Sequence, residues 1–181
     1  MDAELVRRAQ HGDQEAFAGL VDATGDRLLA VARRILRDPV RAEDATQQAL
    51  VAIWLHLPAL RDPTRFEAWS YRLVVNACRS DIRRAPKWLP NVFGSAVEPS
   101  TADAAADVAD RDQLERAFRG LSVDHRAVVV LRYFVDLSPD EIAESLGIPG
   151  GTVRSRLHHA MRGLRAALDA DARPAIQEVV E

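Results

Sequence analysis

The chain has 181 residues, 48% of them hydrophobic and 28% charged, with 24 basic against 27 acidic side chains and a formal net charge of -3. That length and apolar content are enough for two small cored domains and exclude disorder throughout. A single cysteine excludes an internal disulfide, the mixed charges of MDAELVRR exclude a standard signal peptide, and the longest unbroken apolar run, residues 49–55, is far too short to cross a bilayer. A soluble, cytoplasmic protein is expected.

The balanced charge total argues against nucleic acid only until its distribution is followed. Six Arg or Lys stand against two acids between Arg65 and Lys87, whereas five acids stand against Arg111 alone between Glu98 and Asp112. Basic and acidic blocks are segregated, which is the relevant property for a nucleic-acid partner. Lys87 is the sole lysine, a skew attributed to a GC-rich genome before function.

Apolar periodicity predicts an all-α fold with two small helical domains, an N-terminal bundle and a C-terminal four-helix domain, joined by a flexible linker. Helices are expected over residues 2–11, 13–36, 41–57 and 64–84, then 111–120, 123–134, 139–146 and 152–168. The domains are drawn at 1–85 and 111–168. The linker, 86–110, is marked by Pro86, Pro90, Gly94, Pro99 and an Ala/Asp-rich run. Residues 169–181 form a short, mildly acidic tail.

In helix 41–57 the polar start RAEDATQQ runs into ALVAIWL, apolar nearly all round. A small domain does not readily bury such a helix on every side, so one face is a candidate for a protein partner. Asp44, Gln48, Val51 and Leu55 share that face, with Gln47 beside it. The plainer reading is a central bundle helix with no partner.

On helix 64–84 a wheel places Arg72, Asn76, Arg79 and Arg83 within about 60° of one another, and Tyr71, Val74, Cys78 and Ile82 on another side. One face is core and one is cationic, so Cys78 is expected to be a buried structural thiol. Trp69 lies at the edge of the cationic face, as a base-stacking platform or as packing. Arginines that follow a backbone, beside an amide that bonds exposed bases, suit single-stranded DNA.

The stretch LSPDEIAESLGIPGGTVRSRL reads as a helix-turn-helix. Ser138 caps the first helix, Pro139 fits its first turn, and Glu141 closes a capping box. Gly147 supplies the left-handed residue that ends it, and residues 148–151 carry the chain round to a second helix starting at Thr152. Ala143 is the small residue at the helix crossing and Val153 the apolar anchor. Val153, Leu157, Ala160 and Leu164 form the buried stripe of the second helix. Its other arc carries Thr152, Arg154, Ser155, Arg156, His158, His159, Arg162 and Arg165, with no acid between Thr152 and Leu168. Hydrogen-bonding and cationic groups opposite an apolar anchor are what the DNA major groove admits, because Arg bonds guanine edges bidentately and other groups hold phosphates. A merely solvated helix normally mixes both charge signs.

The five histidines have no partners at metal-ligand spacing, adjacent His158 and His159 point about 100° apart and make a poor chelate, and neither a phosphate-binding glycine loop nor a nucleophile elbow is present. A non-enzyme without metal or cofactor is expected.

Four segments in order, GDQEAFAGLV, AEDATQQALVAIW, FEAWSYRLVVNACRSDIRR and LRYFVDLSPDEIAESLGIPGGTVRSRL, resemble the extracytoplasmic-function sigma factors of bacterial RNA polymerase, over residues 13–168. The resemblance implies a transcription initiation factor. Its N-terminal domain, region 2, would bind the β′ clamp helices of core polymerase and capture a base flipped from the melted minus-10 element; its C-terminal domain, region 4, would read the minus-35 duplex and touch the β flap. Carried over by position, Asp44, Gln47 and Gln48 lie on the polymerase face, Asn76 and the loop 60–65 line the flipped-base pocket, and Arg79, Arg83 and Arg84 hold promoter backbone. Arg154, Ser155, His158, His159 and Arg162 become the minus-35 contacts. The linker would thread toward the active-site channel, its acids mimicking nucleic acid, and an anti-sigma factor is a further candidate partner. A second reading of the same residues is a freestanding helix-turn-helix regulator acting without stable polymerase association.

Overall fold

The computed structural model describes residues 1–84 and 113–171, of which Asp171 is placed by its backbone alone. The linker expected at 86–110 and most of the tail lie outside the described residues. Every regular element among the described residues is a helix.

The first four helices are α1 (Ala3–Gln10), α2 (Gln14–Leu36), α3 (Pro39–His56) and α4 (Phe66–Arg84). An aspartate starts each of the first three: Asp2 accepts from the Glu4 N–H at 2.9 Å, Asp13 from Ala16 at 3.0 Å and Asp38 from Arg41 at 3.0 Å, each satisfying an orphan donor of the first turn. The Asp13 carboxyl is held below its usual range by the Ala16 N–H first and by Arg8 next. Asp38 with Pro39 at the first helical position starts α3 two residues before the expected Arg41. Likewise α4 begins at Phe66 rather than Thr64, because Asp62 accepts from the Thr64 hydroxyl and N–H and winds Pro63–Arg65 into a 3-10 turn. The side-chain amide of Gln10 donates to the Leu57 and Leu60 carbonyls at 3.1 and 2.7 Å, tying the loop between α3 and α4 to α1.

The remaining helices are α5 (residues 113–119), α6 (Val123–Tyr133), α7 (Pro139–Leu146) and α8 (Gly150–Asp171). The capping box on α7 forms in both directions, with Ser138 N–H donating to Glu141 at 2.7 Å and Glu141 N–H to the Ser138 hydroxyl at 3.2 Å. Gly147 ends α7 at φ 64. The second helix of the motif starts at Gly150, earlier than the expected Thr152, because the Pro149 carbonyl already accepts from Thr152 and Val153.

One hydrophobic cluster runs through both halves. It joins Leu20, Leu28, Val31 and Ile35 of α2, the small residues Ala42, Ala45 and Ala49 of α3, and Phe66, Tyr71, Val74 and Cys78 of α4 to Val128 and Leu131 of α6, Ile142 and Leu146 of α7 and Val153 of α8. A second, smaller cluster of Ala117, Leu121, Val129, Ala160 and Leu164 holds α5, α6 and α8 together. Helix α6 serves both, and is buried at every position from Arg126 to Leu131. The C-terminal module therefore stands against the N-terminal bundle, α7 on α4 and α6 on α2, instead of apart from it.

Candidate nucleic-acid interface

The wheel of α4 divides as expected: Tyr71, Val74 and Cys78 are buried, Ile82 is half-buried, and Arg72, Asn76, Arg83 and Arg84 are exposed. Burial pushes the Cys78 thiol up to about 12, the behaviour of a packed, unreactive sulfur. Trp69 is half-buried, its ring 6.1 Å from that of Phe66 and packed against the core. Asn76 Oδ1 accepts from Arg79 Nη1 at 3.3 Å, so amide and guanidinium sit on one surface. Beyond the helix start, the loop 60–65 presents half-buried Leu60 and exposed Arg65.

On α8, Val153, Ala160 and Leu164 are buried and Leu157 is half-buried, while Arg154, Ser155, His158, His159, Arg162 and Arg165 are exposed and Thr152 and Arg156 are half-buried. Arg154 donates to Asp140 on α7 at 3.2 Å. The rings of His158 and His159 meet edge to face at 5.7 Å, and His159 Nδ1 lies 3.3 Å from an Arg162 nitrogen.

The outer face of α3 is open. Asp44, Gln47, Gln48, Val51 and Leu55 are all exposed, with Val51 at 58% and Leu55 at 64%. Two branched apolar side chains presented to water beside carboxylate and amides form a surface suited to another protein.

The structure also brings together residues that local reading of the sequence did not join. Asp124, in the first turn of α6, accepts from Arg79 Nε at 2.6 Å and from Arg156 Nη2 at 3.1 Å. Glu144 of α7 pairs with Arg65, and Glu115 with Arg37. The Ser145 hydroxyl donates to the Ala68 carbonyl at 2.7 Å, and the Arg34 guanidinium lies 3.5 Å from the centre of the Phe134 ring. Arg126 is 6% exposed, and its Nε and Nη1 find no hydrogen-bond partner among the described residues. Burial first, and the neighbouring Arg37 guanidinium next, pull Arg126 down to about 10. Only a long-range signal would have revealed these pairs, since Asp124 reads locally as an ordinary first-turn acid.

Two helical modules, one a helix-turn-helix with an arginine-bearing second helix and the other a bundle with an arginine and amide face, define a two-part nucleic-acid-binding protein. Residues 14–87 match the sigma-70 region 2 family and residues 111–164 the sigma-70 region 4 family. The RNA polymerase sigma-E factor of Streptomyces avermitilis is 36% identical over 166 residues, 90% of this chain and 92% of that protein. The ECF RNA polymerase sigma factor SigL of Mycobacterium tuberculosis is 37% identical over 167 residues, 87% of this chain and 93% of its own length. Among solved structures, CnrH in complex with the cytosolic domain of CnrY superposes with a TM-score of 0.67 at 30% identity, over 94% of this chain and 99% of that one. The chain belongs to the extracytoplasmic-function sigma factors of bacterial RNA polymerase, and is a transcription initiation factor. No helix among the described residues is long and apolar enough to cross a membrane.

Proposed function

We propose that the two modules divide promoter recognition by residue as follows. Asp44, Gln47, Gln48 and Val51 on the open face of α3 engage core polymerase at the β′ clamp helices. Asn76, with Trp69 and the loop 60–65, receives a flipped base of the minus-10 element, while Arg72, Arg79, Arg83 and Arg84 hold the separated strand. Thr152, Arg154, Ser155, Arg156, His158, His159 and Arg162 read and grip the minus-35 duplex, and the same module touches the β flap. The domains are those drawn above, 1–85 and 111–168. The chain performs no catalysis of its own; the polymerase does.

The observation that carries this reading is the exposure of the α3 face: Val51 and Leu55, 58% and 64% exposed, lie open on one side of the helix beside Asp44, Gln47 and Gln48. Hydrophobic residues left out of a core while a polar rim surrounds them mark a binding surface. CnrH is solved in complex with the cytosolic domain of CnrY, and an anti-sigma factor is a further partner proposed for this chain.

Run-off transcription with purified bacterial core enzyme on a genomic library tests the assignment. Promoter-specific transcripts that require this chain are expected, and a Val51→Glu/Leu55→Glu chain should lose them together with its affinity for core. A chain that binds duplex DNA tightly and specifically as an isolated dimer, and adds nothing to core enzyme, would instead be a freestanding regulator.

A further inference from the structure

A groove of about 260 Å³ lies where α2 meets α5 and α6, and none of its residues belongs to the surfaces assigned above. Val129 and Val130 supply its buried lining, and Leu114, Phe118, Tyr133 and Phe134 stand around them. Leu114 is 49% exposed, Tyr133 64% and Phe134 39%, so three large apolar side chains gather at one concave place. Apolar residues scattered singly on a surface need no explanation, whereas a hollow lined by them marks a site.

The charged groups that line it are Arg34, Arg37 and Glu115. Glu115 is engaged by Arg37. The Arg34 guanidinium lies 3.5 Å from the centre of the Phe134 ring, and its Nη1 donates to the Ala30 carbonyl at 3.1 Å; neither partner is an acid. Burial first and Arg37 next pull the neighbouring Arg126 down, the mark of positive charge in excess at this end of the groove.

A guanidinium stacked on a ring uses its face and keeps its edge. Of the five N–H donors of Arg34, one goes to Ala30 and the rest remain in the guanidinium plane. Such an edge accepts a carboxylate through two parallel hydrogen bonds. The apolar part suits a flat partner, because Phe118, Tyr133 and Phe134 offer ring faces and edges and a rigid body loses little rotamer freedom on binding. The volume, below that of drug-sized sites, limits this body to about one or two rings.

We propose that the groove is a binding site for an aromatic monocarboxylate, with its rings against Phe118, Val129 and Phe134 and its carboxylate on Arg34. The site is independent of the promoter roles given above. A ligand seated there touches α2, α5 and α6 together and stabilises the folded chain by mass action.

Calorimetric titration of the full chain with β-naphthoate, beside the neutral β-naphthamide, tests this. One acid per chain is expected to bind, the amide at least about tenfold more weakly, and the thermal midpoint to rise with acid concentration. Arg34→Gln, at an exposed position, should weaken the acid about tenfold and leave the amide nearly unchanged. Leu114→Trp, which fills the hollow from an exposed wall, should weaken both. Circular dichroism checks that each variant keeps its helices. No saturable binding of the acid, acid and amide bound alike, or acid affinity indifferent to Arg34→Gln overturns the proposal. So does a dimer of the unliganded chain that Leu114→Trp dissociates, which gives the groove to a second copy. Loss of affinity for core polymerase in Leu114→Trp, with no acid bound by the unsubstituted chain, gives it to the polymerase and overturns the proposal equally.

Discussion

The hydroxyl of Ser145 donates to the carbonyl of Ala68 across 2.7 Å, so the first helix of the helix-turn-helix stands directly on the helix proposed to grip separated strands. Ser145 is buried at 3% exposure, and its bond leaves no hydroxyl unsatisfied in the contact. Ser145→Ala removes one partner and leaves a helical carbonyl that still accepts within α4. It is expected to lower stability by about 1 kcal/mol, read from the urea midpoint at unchanged slope.

Arg126 gives the opposite expectation. A buried guanidinium with two nitrogens that find no hydrogen-bond partner among the described residues carries a desolvation cost that an apolar side chain of similar length does not. Arg126→Met should raise the stability of the chain by about 1–3 kcal/mol. Urea unfolding checks it, and a lowered midpoint would show that the guanidinium is compensated.

Gly147 adopts φ 64, where a side chain is strained, and a Cβ there would lie 3.3 Å from the Arg72 guanidinium. Gly147→Ala is expected to cost about 1–2 kcal/mol from the backbone alone. Because Arg72 must also shift, the substitution should loosen the contact between the modules, measurable as faster hydrogen exchange at α7 than at α2.

The capping box has a pH signature. Hydrogen bonds from Ser138, hydroxyl first and N–H second, hold the exposed Glu141 carboxyl below its ordinary value of 4.5. A depressed native value means that its contribution is complete above 4.5 and is lost as pH falls through that native value. NMR titration of Glu141 should show the downward shift in the native chain and a smaller one in Ser138→Ala, which itself costs about 1 kcal/mol.

The two proposed DNA contacts separate by assay. Arg154→Ala should reduce discrimination between minus-35 sequences by about 1–3 kcal/mol, whereas loss of a phosphate-holding arginine weakens all promoters alike and lowers the salt slope by about 1. Equal discrimination by Arg154→Ala removes it from the readers. Asn76→Ala should leave binding to core polymerase intact and reduce permanganate reactivity of unpaired promoter thymines; unchanged reactivity would falsify its place in the flipped-base pocket.

Local chemistry was legible wherever a short stretch decides it. Ser138, Glu141 and Gly147 fix the ends of α7 through caps and one left-handed residue, and the wheel of α4 separated buried Tyr71, Val74 and Cys78 from exposed Arg72 and Asn76 because helical period alone sets those faces. The open face of α3 was legible for the same reason. Helix starts differ by two residues where the cap lies ahead of the apolar period, as Asp38 and Pro39 show at α3. Arg79 and Arg156 read as free cations because no acid stands three or four positions away on their own helices; their acid, Asp124, is 45 and 32 residues away.

The order of amino acids by itself determined the helices, their capping, their apolar faces and the cationic surfaces of α4 and α8, since each depends on spacings within a few turns. Only the tertiary structure decided that those surfaces meet, with Asp124 between Arg79 and Arg156, and that Arg126 is enclosed with its Nε and Nη1 unpartnered among the described residues. Such contacts follow from how one helical layer lands on another, a global packing outcome in which residues far apart along the chain become neighbours and no local period records the pairing.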